Sequence, residues 1–472
     1  MKTTKVQVFL TSAAAILLFH PLFTPVYGQV EQSGTAKQQI SNILGSGARA
    51  LGMGGAFIAI ADDATAASWN PAGLAILTRP EVSLVYSDLD SREIYDYEYD
   101  LLFTDFIAPG EDLALNFTEL NDIADSTDSG IDFASATWPA QLFNRNVVTQ
   151  LSYRRMSSLP SLVNEWTEVV TLTDVAAGEV VFTEQLPYRF ETAGGGSVDA
   201  YSISFALPVV RGLNVGATVN YVDGSLGSRG TFTGFTSNFD SPPTPFVSNI
   251  EQDFDYDGLM YDLGVQYNMN DRFFVGAVYH TGFTADADEA FSFRTLVEGE
   301  EVEAGSFMTS GEIDIPETWG VGVAFRPIDR LTLSADYTQS NWSEGVFAGE
   351  GFETPFPSFG EQQFDSTAIR VGGEYVFFLG NNVFLPLRAG WFEEEQISNF
   401  WGGDRQPTLN GYSLGAGIAI GSIQFDVAWV DTSGDERGVP EVFDFDGVVF
   451  EIVNENRDFS SQRLVLSAIY RF

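Results

Sequence analysis

The chain has 472 residues, 65 acidic and 23 basic, for a formal net charge of −42. So acidic a chain lacks the basic footprint that nucleic-acid binding requires, and the absence of cysteine removes disulfides, zinc–thiolate sites and iron–sulfur clusters. Forty Phe, 17 Tyr and 8 Trp exclude a disordered acidic chain.

Residues 1–28 carry an export pattern. Lys2 and Lys5 form a basic start, and Val6 to Phe19 is apolar apart from Gln7, Thr11 and Ser12. Val26-Tyr27-Gly28 offers a cleavage site, and the run is too short and wrongly flanked for a membrane span. Cleavage would remove two lysines and no acid, so the mature chain is two charges more negative. Beyond residue 28 no run of 18 apolar residues occurs, so no membrane-spanning helix is expected. What remains is a secreted or periplasmic protein, or an outer-membrane barrel whose hydrophobicity is hidden in alternation.

Residues 29–80 show no strand-like alternation and are rich in Gly and Ala, as in Gly45-Ser46-Gly47-Ala48-Arg49-Ala50-Leu51-Gly52-Met53-Gly54-Gly55. Small residues permit the close backbone approach that a segment folded inside a barrel needs.

From residue 81 onward the period is two. Leu464, Leu466, Ala468, Tyr470 and Phe472 share one face, and Arg463, Val465, Ser467, Ile469 and Arg471 the other. Tyr201, Ile203, Phe205 and Leu207 alternate with Ser202, Ser204 and Ala206 in the same way. The polar face is Gly, Ser, Asn and Asp with occasional Arg, and the apolar face often begins or ends on an aromatic residue. A lipid-facing band with aromatic girdles and a small-residue lumen reads this way. About fourteen such segments are expected, near 81–88, 93–103, 146–156, 166–174, 198–207, 212–222, 258–269, 272–283, 317–326, 330–340, 366–378, 383–393, 411–431 as a hairpin, and 461–472. Short turns such as Pro327-Ile328-Asp329-Arg330 alternate with long acidic loops at 284–314 and 432–461. Residues 100–145 and 225–255 match no recognisable pattern.

Most chemical motifs fail. Gly45-Ser46-Gly47-Ala48-Arg49-Ala50 fits a dinucleotide fingerprint, but no hydrophobic strand precedes it. Asp253 to Gly258 opens like a calcium loop, yet the twelfth position is Gly264. No nucleophile elbow occurs. His280 alternates with Val278 and Gly282, as a lumen or loop histidine rather than a general base. Inward Arg326, Arg370, Arg388, Arg463 and Arg471 share the face of Asp262, Asp336, Glu374 and Asp426. They form either a ladder of ion pairs or, at one position, a partner for a ligand carboxylate.

Three stretches carry a family resemblance. They are Gly47 to Phe57 with Ala61-Asp62-Asp63-Ala64 and Asn70-Pro71-Ala72-Gly73-Leu74, then Ile315-Pro316-Glu317-Thr318-Trp319-Gly320 through Asn341-Trp342-Ser343, and the terminal Tyr470-Arg471-Phe472. Together they resemble the long-chain fatty acid transporter family of Gram-negative outer membranes, which includes aromatic-hydrocarbon channels. The resemblance implies an all-β, 14-stranded transmembrane antiparallel barrel over 81–472, with an N-terminal plug over 29–80 inside the lumen. It implies passive, non-enzymatic uptake of long-chain fatty acids or other hydrophobic molecules, leaving through a lateral gap in the wall. Asn70, Pro71 and Ala72 map to the plug's gate. Phe57, Trp69 and Leu74 are candidate ligand contacts, though each also reads as packing of plug on wall; Arg326, Arg370 and Arg388 are the candidate carboxylate partners. Neither cofactor nor metal is expected. The partners implied are a hydrophobic small molecule, outer-membrane lipid and the barrel assembly machinery through Phe472, with the protein a monomer. A sister group that shares the N-terminal pattern serves protein secretion as a type IX outer-membrane subunit, and this stands as the alternative.

Overall fold

The structure, a computed structural model, describes residues 45–472 apart from 104–112, 143–144, 176–178, 239–240, 350–351, 356–363, 381, 398–405, 438–440 and 446–447. The expected signal at 1–28 and the start of the expected plug lie outside the described residues.

Among the described residues, twenty strands form one antiparallel sheet. In chain order they are β1 (Glu81–Phe103), β2 (Leu113–Leu142), β3 (Arg145–Ser158), β4 (Ser161–Asp174), β5 (Glu179–Val210), β6 (Leu213–Asn238), β7 (Ser241–Asn268), β8 (Phe273–His280), β9 (Phe283–Val297) and β10 (Glu300–Ile315). There follow β11 (Thr318–Ile328), β12 (Leu331–Ser340), β13 (Val346–Gly349), β14 (Phe352–Pro355), β15 (Ser366–Gly380), β16 (Val383–Glu395), β17 (Thr408–Ile420), β18 (Ile423–Arg437), β19 (Glu441–Phe445) and β20 (Val448–Arg471). β1 pairs with β20 from Glu81↔Arg471 to Phe103↔Val448, so the sheet closes on itself. Three wall passes consist of two strands end to end: β3 with β4, β8 with β9, and β10 with β11. β13, β14 and β19 are short outer additions, and the wall is a closed barrel of 14 strands.

The faces are inverted relative to a water-soluble protein. On β5, Tyr201, Ile203 and Phe205 are 49%, 48% and 50% exposed, while Ser202 and Ser204 between them are buried. On β20, Leu464, Leu466 and Tyr470 face out, as does the following Phe472, and Val465, Ser467 and Ile469 face in. Two aromatic rows bound the apolar band. Near the short turns lie the stacked Phe273–Phe325 pair at 4.7 Å, Phe378–Phe384 at 5.3 Å and Tyr470–Phe472 at 4.8 Å. At the other edge stand Tyr153–Tyr201 at 5.7 Å and Trp319–Tyr337 at 5.5 Å. Among the described residues no helix is long and apolar enough to cross a membrane. The crossing is made by strands, whose ladder satisfies every in-membrane backbone group only when the sheet is closed.

Several expectations need correction. Segments 81–88 and 93–103 are one strand, β1. Segments 146–156 and 166–174 are one wall pass, interrupted at Leu159-Pro160. β2 occupies much of the unmatched 100–145 stretch. The fifteen segments named thus lose two to these mergers and gain β2, which leaves the fourteen passes of the wall. The acidic stretches 284–314 and 432–461 are largely strands rather than loops. The cause is shared: above the membrane the outer face of a strand meets water, so acids occupy the positions that Leu and Tyr hold lower down. On β9, Phe283, Ala285 and Ala287 still point inward while Thr284, Asp286 and Asp288 point out.

The outer strand halves carry a carboxylate row on the surface. Asp199, Asp223, Asp257, Asp286 and Glu312 lie directly opposite one another in register across β5, β6, β7, β9 and β10. Like charges in direct cross-strand register destabilise a sheet. The melting temperature of the purified barrel is therefore expected to rise with salt, between about 0.01 M, where screening reaches roughly 30 Å, and about 1 M, where it reaches roughly 3 Å. A flat or falling melting temperature would contradict repulsion across this row.

Candidate functional site

Residues 45–77 lie against the inner face of the wall, and most of them are buried. They form one short helix, Ala48–Leu51, and two 3₁₀ turns, Ala66–Ser68 and Pro71–Ile76. So irregular a backbone at membrane depth needs partners for its polar groups. The polar lumen face of the wall supplies them. Asp336 Oδ2 accepts from Phe57 N at 2.6 Å and Ile58 N at 2.8 Å. Ser413 Oγ accepts from Gly54 N at 2.8 Å, and Ser467 Oγ from Ala48 N at 2.6 Å. Gln150, Gln266 and Asn146 donate to carbonyls of Ala64, Ala59 and Ala75. Inward glycines admit the segment's backbone: a Cβ on Gly216 would strike Pro71, one on Gly276 would lie 2.5 Å from Ile58 O, and one on Gly390 would collide with Gly54 N.

The Asn70-Pro71-Ala72 turn is both a local cap and a tie to the wall. Asn70 Oδ1 accepts from Ala72 N at 3.1 Å, and Pro71 starts the turn where no N–H is needed. Asn70 Nδ2 donates to Ile58 O and to Val265 O of β7, both at 3.0 Å. Trp69 Nε1 donates to Ser46 O at 2.8 Å, and its ring meets Phe57 edge-on at 6.0 Å.

A chain of charges runs from the segment along the inner face of neighbouring wall strands. Arg49 pairs with Asp62, with Asp63 at 3.3 Å and with Glu374 at 3.2 Å. Arg388 pairs with Glu374 and Asp426, each at 2.7 Å. Gln424 donates to Asp426 and accepts from Arg471, which pairs with Glu81 at 3.0 Å. His280 Nδ1 lies 2.6 Å from Asp262 Oδ1, both about 1% exposed, so this histidine faces the lumen. Among the described residues no group of three or more His, Asp or Glu is arranged to hold a metal ion.

A cavity of about 120 Å³ lies between the segment and the wall. Leu51, Trp69, Met156 and Phe392 give it apolar surface, and Arg154, Arg155, Arg370 and Arg463 give it guanidinium groups. Asp132, at the same cavity, pairs with Arg155 and Arg463 at 2.7 Å each, and Arg370 pairs with Glu394 at 3.1 Å. The buried Arg463 Nε has no hydrogen-bond partner.

The wall is interrupted beside this cavity. β3 pairs with β5 over Val148–Ser158, and β4 pairs with it over Leu162–Asp174, with Leu159-Pro160 between them. Opposite stand Gly194-Gly195-Gly196, where Gly196 has φ +91 and a Cβ on Gly194 would strike Pro160 O. On the other side, β2 pairs with β3 through Phe133 and with β4 from Thr127, so residues 128–132 stand beside the interruption. Arg155 and Ser158 fill this stretch by bonding to Asp128 and Asp132.

Of the residues singled out in the sequence, Trp69, Arg370 and Arg463 line the cavity. Phe57 and Leu74 are fully buried packing residues away from its lining. Arg388 is committed to the charge chain. Arg326 sits near the short turns, with its guanidinium 4.9 Å from the Phe274 ring and its Nε donating to Thr332. Sequence reasoning missed Arg154 and Arg155 as site residues. A consecutive Arg-Arg in an otherwise alternating strand was the available signal, since one of them must break the face rule. A register shift between Arg155 and Ser157 brings both to the cavity.

The family model described as outer membrane protein transport protein (OMPP1/FadL/TodX) matches residues 197–394. No curated protein matches the sequence. A crystal structure of a Pseudomonas aeruginosa FadL homologue is similar in fold, with TM-score 0.58 at 15% identity over 91% of this chain and 98% of that one. The P. putida toluene transporter TodX is similar with TM-score 0.53 at 15% identity, over 91% of this chain and 99% of that one. Residues 197–394 thus resemble the OMPP1/FadL/TodX outer membrane transport proteins in sequence, and the barrel shares the fold of these two solved structures.

Proposed function

We propose that the protein carries hydrophobic molecules passively across the outer membrane, and that its ligands are amphipathic anions of the long-chain fatty acid kind. The observation that carries this reading is the cavity, with guanidinium groups beside Trp69, Met156 and Phe392 and next to the break in the wall. A carboxylate suits the bidentate fork of arginine, and the aliphatic tail suits the apolar side. Residues 45–77 act as the plug, with Asn70, Pro71 and Ala72 as its gate, because this turn joins the segment's own cap to β7. The ligand leaves sideways at Leu159-Pro160, where the ladder is interrupted and side chains of Arg155 and Ser158 reach across to Asp128 and Asp132.

Titration of the purified barrel with a fluorescent long-chain fatty acid tests the reading. Saturable binding is expected, and Arg155→Ala or Arg463→Ala should weaken it by about tenfold or more, since a hydrogen bond to a charged group contributes roughly 1.5–3 kcal/mol. An aromatic hydrocarbon, having no carboxylate, should compete poorly. Equal affinity for both ligands would remove the anion from the reading. No binding by a folded barrel would favour the protein-secretion alternative.

A further inference from the structure

Above the membrane band the outer strand halves enclose a second apolar core. Phe117, Leu172, Tyr188, Phe190, Phe232 and Phe246 belong to it. Carboxyl groups are built into this core. Glu119 of β2 lies directly opposite Glu168 of β4. The register then slips between Leu120 and Ile123, with Asn121 at φ 56. A bulge of this kind re-aims side chains. Here it reverses the alternation, so that Asp122 is buried on the same side as Glu168. Asp122 is 4% exposed and Glu168 5%. Asp122 Oδ1, Glu168 Oε1 and the neighbouring Asn164 Oδ1 accept no hydrogen bond.

The nearby cation is engaged elsewhere: Arg457 pairs with Glu93 at 2.9 Å and with Glu436 at 3.5 Å. No metal-holding group of three or more His, Asp or Glu occurs among the described residues. Asp122 is hydrogen-bonded with Glu119 and Asn164, and Glu168 with Tyr188, and none of these partners is a cation. Carboxylates buried without a counter-charge are costly, and the available relief is a proton.

We propose that Glu119, Asp122 and Glu168 form a proton-operated latch, which keeps the outer core packed while they are protonated and loosens the outer β2–β4–β5 sheet when they ionise. This stands independently of the ligand reading.

The three groups lie outside the membrane band, which on β1 ends at Tyr86, where the outward residues turn to Asp88, Asp90 and Arg92. Burial is the largest cause in each case. It pushes Asp122 up to about 6 and Glu168 up to about 7, and raises Glu119 well above the ordinary carboxylate range, with Asp122 and Glu168 adding repulsion. The other groups facing the cluster are Glu93, Tyr95 and Tyr97 from β1, Glu184 and Tyr188 from β5, Glu436 from β18 and Arg457 from β20. β6, β7 and β9 contribute Phe232, Phe246 and Phe291. Because the folded values exceed the unfolded ones, the folded state holds more protons. The stabilisation is complete below the unfolded carboxylate range and is lost as pH rises through about 6 to 7.

Hydrogen–deuterium exchange of the mature barrel in detergent, read as protection factors, tests the latch. Peptides within 113–126, 161–174 and 184–192 are expected to lose about tenfold in protection between about pH 5.5 and about pH 8, one pKa unit being worth a factor of ten. A peptide at 463–472 should not change. The Glu119→Gln, Asp122→Asn, Glu168→Gln variant should stay protected at both values. Where that variant gives no heat-modifiable barrel, Glu168→Gln alone should shrink the fall. Equal protection of the native chain at both values, or a fall that survives undiminished in the variant, would overturn the proposal.

Discussion

Gly390→Val is expected to open the lumen without unfolding the barrel. A Cβ at this position would meet Gly54 N and Met53 C, which are backbone atoms and cannot rotate away. The facing Gly372 holds Met53 just as closely, and Gly54 itself sits at φ +67 with its N–H bonded to Ser413. Overpacking costs about 1–3 kcal/mol where side chains can adapt, and a backbone held on two sides adapts less. Valine is a good strand residue, so β16 tolerates what residues 53–54 do not. Conductance in a planar bilayer should therefore rise, with heat modifiability retained. Deletion of 41–74 sets the upper limit, a leaky and non-selective pore. Unchanged conductance in both variants would show that the segment does not seal the lumen.

Arg388→Met is expected to be the most destabilising single change in the wall. Its guanidinium is about 1% exposed and links Glu374 to Asp426 at 2.7 Å each. Glu374 would keep Arg49, but Asp426 would keep only the neutral Gln424 among the described residues. Removing one member of a buried ion pair costs roughly 3–5 kcal/mol because the other charge stays buried. Adding Asp426→Asn should recover part of the loss. Urea unfolding of the refolded barrel measures both variants. A loss below about 1 kcal/mol, the range of exposed pairs, would mean that water reaches this site.

The period-two alternation was legible in single strands because the membrane forces every outward residue of the band to be apolar. It gave the barrel, the lipid face and the lumen face, including the inward positions of Arg370, Arg388, Arg463 and Arg471. It failed above the band, where β2 and the outer halves of β9, β10, β18 and β20 face water and no rule demands an apolar outer side. The Gly- and Ala-rich character of 45–77 signalled close packing, but the partners of that packing were invisible. Asp336 and Phe57 are 279 positions apart in the chain, and Ala48 and Ser467 are 419 apart.

Alternation thus determined the class of this protein, a β-barrel of the outer membrane, because it is local and repeats every two residues. The site was decided by closure of the sheet. Arg154, Arg155, Arg370 and Arg463 come from three wall passes and meet only when β1 joins β20. Two register slips, at Met156 and at Asn121, then turned side chains to faces that strict alternation denies them. A bulge depends on the neighbouring strand as well as on its own residues, so only the assembled wall could reveal it.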